Sequence, residues 1–283
     1  MSDSARWHTD FHSPGRGLTF AVIKSLHVEE SVYQKIEIID TPDFGTVMLL
    51  DGVLMLTTVD EFVYHEMLCH PTLFTHPRPE RVLIIGGGDC GTLKRVLSHP
   101  GVKQATQVEI DEMVTRVSRK YFPELTASEQ DPRASLIFRD GIEYLKQNMA
   151  AFDVILVDST DPVGPAEGLF HTDFYQNCFD SLKPDGMLCI QSESPYIPDL
   201  QKVIRKSNQS LRSIFPAVYA YTAAIQTYQA GLWMYQMASK VHDPFAKDVF
   251  PRINEYSGEL KYYNADIHRA CFALPQFAKA LIG

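Results

Sequence analysis

Short apolar runs with a two-residue rhythm fill the early part of the chain. Between Leu18 and Thr58 the stretches "LTFAVIKSL", "SVYQKIEII", "GTVMLL" and "GVLMLTT" are rich in β-branched and aromatic residues, with the turn signals "TPDFG" and "DG" between them. They predict an antiparallel β-unit. The following "DEFVYHEMLCHPTLF" predicts a linking helix, with Asp60 placed to cap it and Phe62, Met67 and Leu68 at an uneven apolar spacing.

After "HPRPE" the rhythm changes. "RVLIIGGG", "ATQVEID", "ASLIFRDG", "FDVILVDS" and "GMLCIQSES" are near-continuous hydrophobic runs, and "GTLKRVLSH", "DEMVTRVSRKYF", "GIEYLKQN" and "HTDFYQNCFDSL" between them read as helices. Buried strands alternating with helices predict an α/β domain, a doubly wound and mostly parallel sheet covered on both faces. Two late runs, "AVYAYTAAI" and "GLWMYQMAS", are close enough in sequence to close that sheet as an antiparallel pair. The expected division is 1–59 for the β-unit and 60–283 for the α/β domain.

Charge narrows the function. The formal net charge of -9 argues against nucleic acid and anionic membrane surfaces as partners, since both require a basic patch, and it favours cationic ligands. "MSDSARWHTDFHSPGRG" lacks the apolar core of a signal peptide, and no later run is long enough to span a bilayer, so a cytoplasmic location is expected. The 5 cysteines are widely spaced with no C-x-x-C pair, which suggests buried thiols rather than disulfides or a structural zinc site.

Candidate chemistry gathers at the carboxyl ends of the predicted parallel strands, where ligands of such sheets bind. The glycine loop "GGGDCG" holds Asp89, a poor neighbour for phosphate and a good one for a cation. Glu109 ends the next strand, where an acidic side chain can accept from ribose hydroxyls. Asp140 with Gly141 follows a third strand, suited to an adenine amino group and equally to capping the helix that begins there. In "ILVDSTDPVGPAEGLF", Asp158 and Asp161 would repel each other without a cation between them, and with no His/Asp ligand set beside them an ammonium group suits them better than a metal. Tyr64 and Tyr228 could wall an aliphatic amine or be core tyrosines, and His65 could be an ordinary helix histidine.

These residues resemble the spermidine synthase family of polyamine aminopropyltransferases. The likeness runs from about Tyr33 to the carboxyl terminus through "YQKIEII", "LLDGV", "DEFVYHEML", "LIIGGGDCG", "VEID", "DGIEYL", "DSTDPVGPAEGLF", "IQSES", "TYQAG" and "YYNADIH". It implies a methyltransferase-like fold behind a small N-terminal β-domain, assembled as a homodimer or homotetramer, and no prosthetic group. The cosubstrate it implies is decarboxylated S-adenosylmethionine. Carried onto this chain, Gln34, His65 and Asp89 would hold the aminopropyl arm, Glu109 the ribose, and Asp140 with Gly141 the adenine, Pro165 and Ala166 packing nearby. Asp161, Gln191 and Tyr228 would orient the amine, and Asp158, helped by Tyr64, would take its proton. The chain departs from the family pattern at Ser13, Met55, Cys90, Gln226 and Gln229, near the amine pocket or its lid. The resemblance implies putrescine as the leading amine, and these departures bring in cadaverine, agmatine or spermidine as alternatives. A methyltransferase and a non-catalytic polyamine-binding homologue are the rival readings.

Overall fold

The computed structural model describes residues 6–13, 15–160, 164–228 and 230–282, with side chains left out at 12, 13, 164 and 165. Two antiparallel sheets open the chain. Strands β1 (Arg6–Ser13) and β2 (Arg16–Val22) form a hairpin. Strands β3 (Lys24–Glu30), β4 (Lys35–Thr41), β5 (Gly45–Leu50) and β6 (Val53–Thr57) form a meander in sequence order. Alternation works as expected here. Ile36, Ile38, Met48, Leu50 and Leu56 point to one face, and Ile39, Val47, Leu49 and Leu54 point to the other, where Phe20 and Val22 of the hairpin cover them.

The expected run "LTFAVIKSL" is split in the structure, with Ile23 outside both β2 and β3. Strand β1 was not anticipated at all. Its pattern is inside out, with Trp7 and Phe11 exposed and Asp10 buried, so it carries no amphipathic signal of the usual sense.

Helix α1 (Glu61–Thr75) leads into the α/β part: β7 (Arg81–Gly86), α2 (Gly91–Leu97), β8 (Gln104–Glu109), α3 (Glu112–Tyr121) and the short α4 (Pro123–Thr126). Next come β9 (Ala134–Phe138), α5 (Gly141–Leu145), β10 (Phe152–Asp158), α6 (Thr172–Ser181), β11 (Leu182–Gln191) and α7 (Pro198–Ile214). Strands β12 (Ala217–Ala224) and β13 (Leu232–Ser239) follow, then α8 (Val249–Asn254), α9 (Ala265–Cys271) and α10 (Gln276–Ile282).

The sheet order is β12-β13-β11-β10-β7-β8-β9, parallel from β11 to β9, with the antiparallel pair β12 and β13 at one edge as expected. Val82, Leu83, Ile84 and Ile85 of β7 are all essentially buried, because this central strand is covered on both faces; each such side chain contributes about 2 kcal/mol. The strand order reverses between β7 and β10, which opens a crevice above their carboxyl ends. Among the described residues no helix is long and apolar enough to cross a membrane.

Asp60 is not the side-chain cap expected of it. It precedes α1, but its carboxylate accepts from Thr57 Oγ1 (2.7 Å) and from the backbone N–H (3.0 Å) and hydroxyl of Thr227, tying the β-meander to the β12–β13 connection.

Candidate active site

The crevice holds about 1050 Å³ of atom-free space, part of it open solvent. Residues from three regions line it: Gln34 and Met55 from the meander, Tyr64 and His65 from α1, and Asp89, Glu109, Asp158, Ala166 and Tyr228 from the α/β part. A smaller cavity of about 380 Å³ shares Met55, Tyr64, Ser159, Thr160 and Tyr228 with it and ends on Asp10, Gln191 and Trp233.

Two glycines make the geometry at Asp158 possible. Gly86 and Gly87 have φ values of 84° and 68°, a region costly for any side chain. A Cβ on Gly86 would lie 2.1 Å from the Asp158 carbonyl oxygen, and one on Gly87 would lie 2.7 Å from Asp158 Oδ2. The loop thus passes directly against the strand end that carries the acid. Cys90 takes the same left-handed conformation, φ 67°, and is fully buried, with Gln107 Nε2 3.8 Å from its sulfur.

Both Asp158 oxygens are oriented. Tyr64 Oη donates to Oδ1 at 2.9 Å and Thr92 Oγ1 donates to Oδ2 at 2.6 Å. Burial raises the Asp158 carboxyl above its ordinary range and the nearby Asp89 raises it further, while His65, Thr92 and Tyr64 pull it back. Such a carboxyl can take a proton from an ammonium group held beside it.

Asp89 Oδ1 accepts from the Gly91 N–H at 2.6 Å and faces His65 Nε2 at 3.3 Å. Burial alone would lower the His65 pKa, but Asp89 and Glu61 outweigh it and hold the ring at about 10. Glu61 is the reverse: burial pushes it up, and His65 with Arg95 holds it down at about 2. Glu109 accepts the Asp111 N–H at 2.8 Å and is pushed up to about 7 by burial, against that hydrogen bond. Gln34 Nε2 donates to Asp111 Oδ2 at 3.0 Å, beside Glu109 on the same wall.

Hydrogen bonds within the chain also fix other expected residues. Asp140 is exposed, and its Oδ1 accepts the Ile142 N–H at 2.7 Å, so it caps α5; neither it nor Gly141 is among the residues lining the crevice. Gln191 spends its amide hydrogens internally, on Ser159 O at 3.3 Å, Thr160 O at 3.5 Å and Glu193 Oε1 at 3.2 Å. Its Oε1 accepts the Glu193 N–H at 3.1 Å, which leaves one lone pair of that oxygen for an ammonium. The Tyr228 hydroxyl donates to the Met55 carbonyl at 3.0 Å, and its ring lies 5.8 Å from that of Tyr64. Asp161 and Gln229 lie outside the described residues, as does the Pro165 side chain.

Three contributors escaped the sequence. Thr92, Asp10 and Glu61 sit in a helix, a hairpin and a helix start, and only Glu61 offered a signal, four residues before His65 on the same helix face. Elsewhere, His76, Asp185 and His242 cluster at the opposite end of the sheet. There His76 Nδ1 accepts the Arg78 N–H at 3.1 Å, which puts the ring proton on Nε2, the atom a metal would need.

Residues 61–248 match the model of the spermine/spermidine synthase domain, and residues 6–58 match that of the spermidine synthase tetramerisation domain. The chain belongs to the spermine/spermidine synthase family. It is 43% identical, over all of both chains, to a polyamine aminopropyltransferase of Caldicellulosiruptor saccharolyticus. It is 47% identical to that of Thioalkalivibrio sulfidiphilus, over 98% of each chain. A solved spermidine synthase in complex with the transition state analogue AdoDATO superimposes with a TM-score of 0.95 at 39% identity, over 100% of this chain and 98% of that one. The spermidine synthase from Thermotoga maritima gives 0.92 at 38%, over 100% and 97%. Like them, this member of the family has the methyltransferase-like fold behind a small β-unit, and its activity is aminopropyl transfer.

Proposed function

We propose that this enzyme transfers the aminopropyl group of decarboxylated S-adenosylmethionine to putrescine, giving spermidine and methylthioadenosine. The observation that carries the reading is the pair of carboxylates in one crevice: Asp158, oriented by Tyr64 and Thr92, and Asp89 in the glycine loop. Intact S-adenosylmethionine would bring its own carboxylate against Asp89, whereas the decarboxylated form brings only an ammonium, so one residue attracts the right cosubstrate and repels the commoner one. AdoDATO in a relative of the same fold supports the same occupant.

In this reading Gln34, His65 and Asp89 surround the aminopropyl arm, Glu109 takes the ribose, and Asp140, Gly141, Pro165 and Ala166 serve the adenine. Asp161, Gln191 and Tyr228 orient the amine. Asp158 removes one proton from the attacking ammonium. The freed nitrogen lone pair forms a bond to the propyl carbon next to sulfur, the C–S bond breaks, and its electrons turn the sulfonium into the neutral thioether of methylthioadenosine. Holding two cations in an acidic crevice supplies much of the rate, since positioning alone can be worth several kcal/mol. Two units, 1–59 and 60–283, supply the walls, a division supported by the separate family matches on either side of residues 59 and 60. The tetramerisation-domain match supports assembly as a homodimer or homotetramer.

The test is mass-spectrometric detection of products after incubation with decarboxylated S-adenosylmethionine and, separately, putrescine, cadaverine, agmatine or spermidine. Spermidine and methylthioadenosine from the putrescine tube are expected. A faster reaction in another tube would transfer the assignment to that amine, with Met55 and Gln226 as the first positions to examine.

A further inference from the structure

Both ring nitrogens of His65 are committed inside the chain. Nδ1 lies 2.7 Å from Glu61 Oε2 and Nε2 lies 3.3 Å from Asp89 Oδ1, with the His65 side chain only 2% exposed. An imidazole that faces a carboxylate through each nitrogen can donate to both only as the imidazolium. Glu61 is itself gripped: Arg95 Nη2 stands 3.1 Å from its Oε1. The ring cannot swing aside, because it packs on Gly91, where a Cβ would lie 2.1 Å from His65 Cε1.

The charged and titratable groups around this ring are Glu61, Tyr64 and Glu66 on α1, Asp89 and Cys90 in the glycine loop, Lys94 and Arg95 on α2, and Asp158 at the end of β10. Two of them, Asp89 and Asp158, are the carboxylates that the crevice has to keep ionised side by side. We propose that Glu61 is a positioning residue for aminopropyl transfer: gripped by Arg95, it holds His65 as a fixed cation against Asp89, and this buried charge balances Asp89 and Asp158 so that Asp158 can act as the base. The inference rests on reading Asp158 as the proton acceptor.

The geometry explains why a histidine stands next to a site that binds ammonium. As a free ligand its positive charge would repel the substrate. Paired with Asp89 and tied to Glu61 in the crevice wall, it offsets one of two like charges, with both ring N–H groups turned to carboxylates of the chain.

Glu61→Gln keeps the size of the side chain and removes its charge. The His65 imidazole and the Asp158 carboxyl are titrated by NMR in the free protein, assigned with His65→Gln and Asp158→Asn, alongside the pH profile of kcat. In the unaltered enzyme His65 stays cationic through pH 9. In Glu61→Gln its titration falls by at least one pH unit and that of Asp158 rises, so the acid limb of kcat moves to higher pH. Near pH 7 kcat drops about tenfold for each unit of that movement and recovers as pH is raised.

A kcat lowered equally at every pH would make Glu61 merely structural and overturn the proposal. So would a His65 that is already neutral at pH 7.5 in the unaltered enzyme, a result independent of whether the variant folds. If the unaltered enzyme produced nothing from any amine, the reaction reading would fall, and the two NMR titrations would still uphold or overturn the charge balance.

Discussion

Glu109 bears opposing demands at the scale of one residue. It is buried at the end of β8 and pushed up to about 7 from an ordinary 4.5, so the folded chain holds its proton more tightly than the unfolded one. A raised carboxyl pKa means that stability is lost as pH rises from 4.5 through 7. Glu109→Gln removes that cost while leaving an oxygen for the Asp111 N–H. It is expected to gain on the order of 2 kcal/mol at pH 8.5, read as a higher Tm, and nothing at pH 4. The same change removes a charged acceptor for the ribose, so calorimetry should show methylthioadenosine binding weakened by roughly tenfold or more, and the unaltered enzyme should bind it less tightly below pH 7. Unchanged affinity would take Glu109 off the ribose. Asp158→Asn keeps shape and both hydrogen-bond neighbours but cannot accept the proton; kcat should fall by about 10³ or more while methylthioadenosine binds as before. Retained turnover would remove Asp158 from the role of base.

Helix α1 is the element on which the molecule turns. Its apolar spacing is uneven because it has no solvent face: from Val63 to Thr75 every residue is buried, so polar side chains must find partners inside. Glu66 shows how. Its carboxylate, 1% exposed, accepts the backbone N–H groups of Lys261, Tyr262 and Tyr263, each at 2.9 Å, and so docks the carboxyl-terminal segment onto the helix. Glu66→Ala leaves three backbone donors without this acceptor, that of Tyr263 buried, at a cost of about 2 kcal/mol in urea unfolding. Hydrogen exchange should speed up at 261–263 before it does at β7. If exchange rose uniformly instead, Glu66 would support the whole core rather than this one junction. Strand β1 is the element that was not legible. Strand reading looks for apolar residues inside, and β1 turns Asp10 inward, where its Oδ2 accepts the Leu54 N–H at 3.2 Å.

At the scale of the molecule the same hairpin turns its outer face to solvent, with Trp7 60% and Phe11 64% exposed within the segment that matches the tetramerisation domain. Two exposed aromatics four strand positions apart on one face suit a contact between subunits. Sedimentation is expected to give a dimer or tetramer for the unaltered enzyme and a smaller species for the double variant Trp7→Glu, Phe11→Glu, with Tm little changed because neither side chain is in the core. An unchanged mass would place the subunit contact elsewhere.

Much of this protein was already determined by the order of its residues. Continuous apolar runs ending in acidic or glycine residues specify a parallel sheet whose ligands meet its carboxyl ends, and Asp89, Glu109 and Asp158 could be picked out because each stands immediately after such a run. Local signals of this kind survive in one dimension because strand, turn and side chain are neighbours in the chain. Tertiary structure alone decided that Thr92, 66 positions from Asp158, grips its second oxygen. It also decided that Gln191 uses its amide hydrogens on the chain itself. Those outcomes depend on distances between strand ends, and hydrogen bonds form where donors and acceptors meet in space, whatever their separation in sequence.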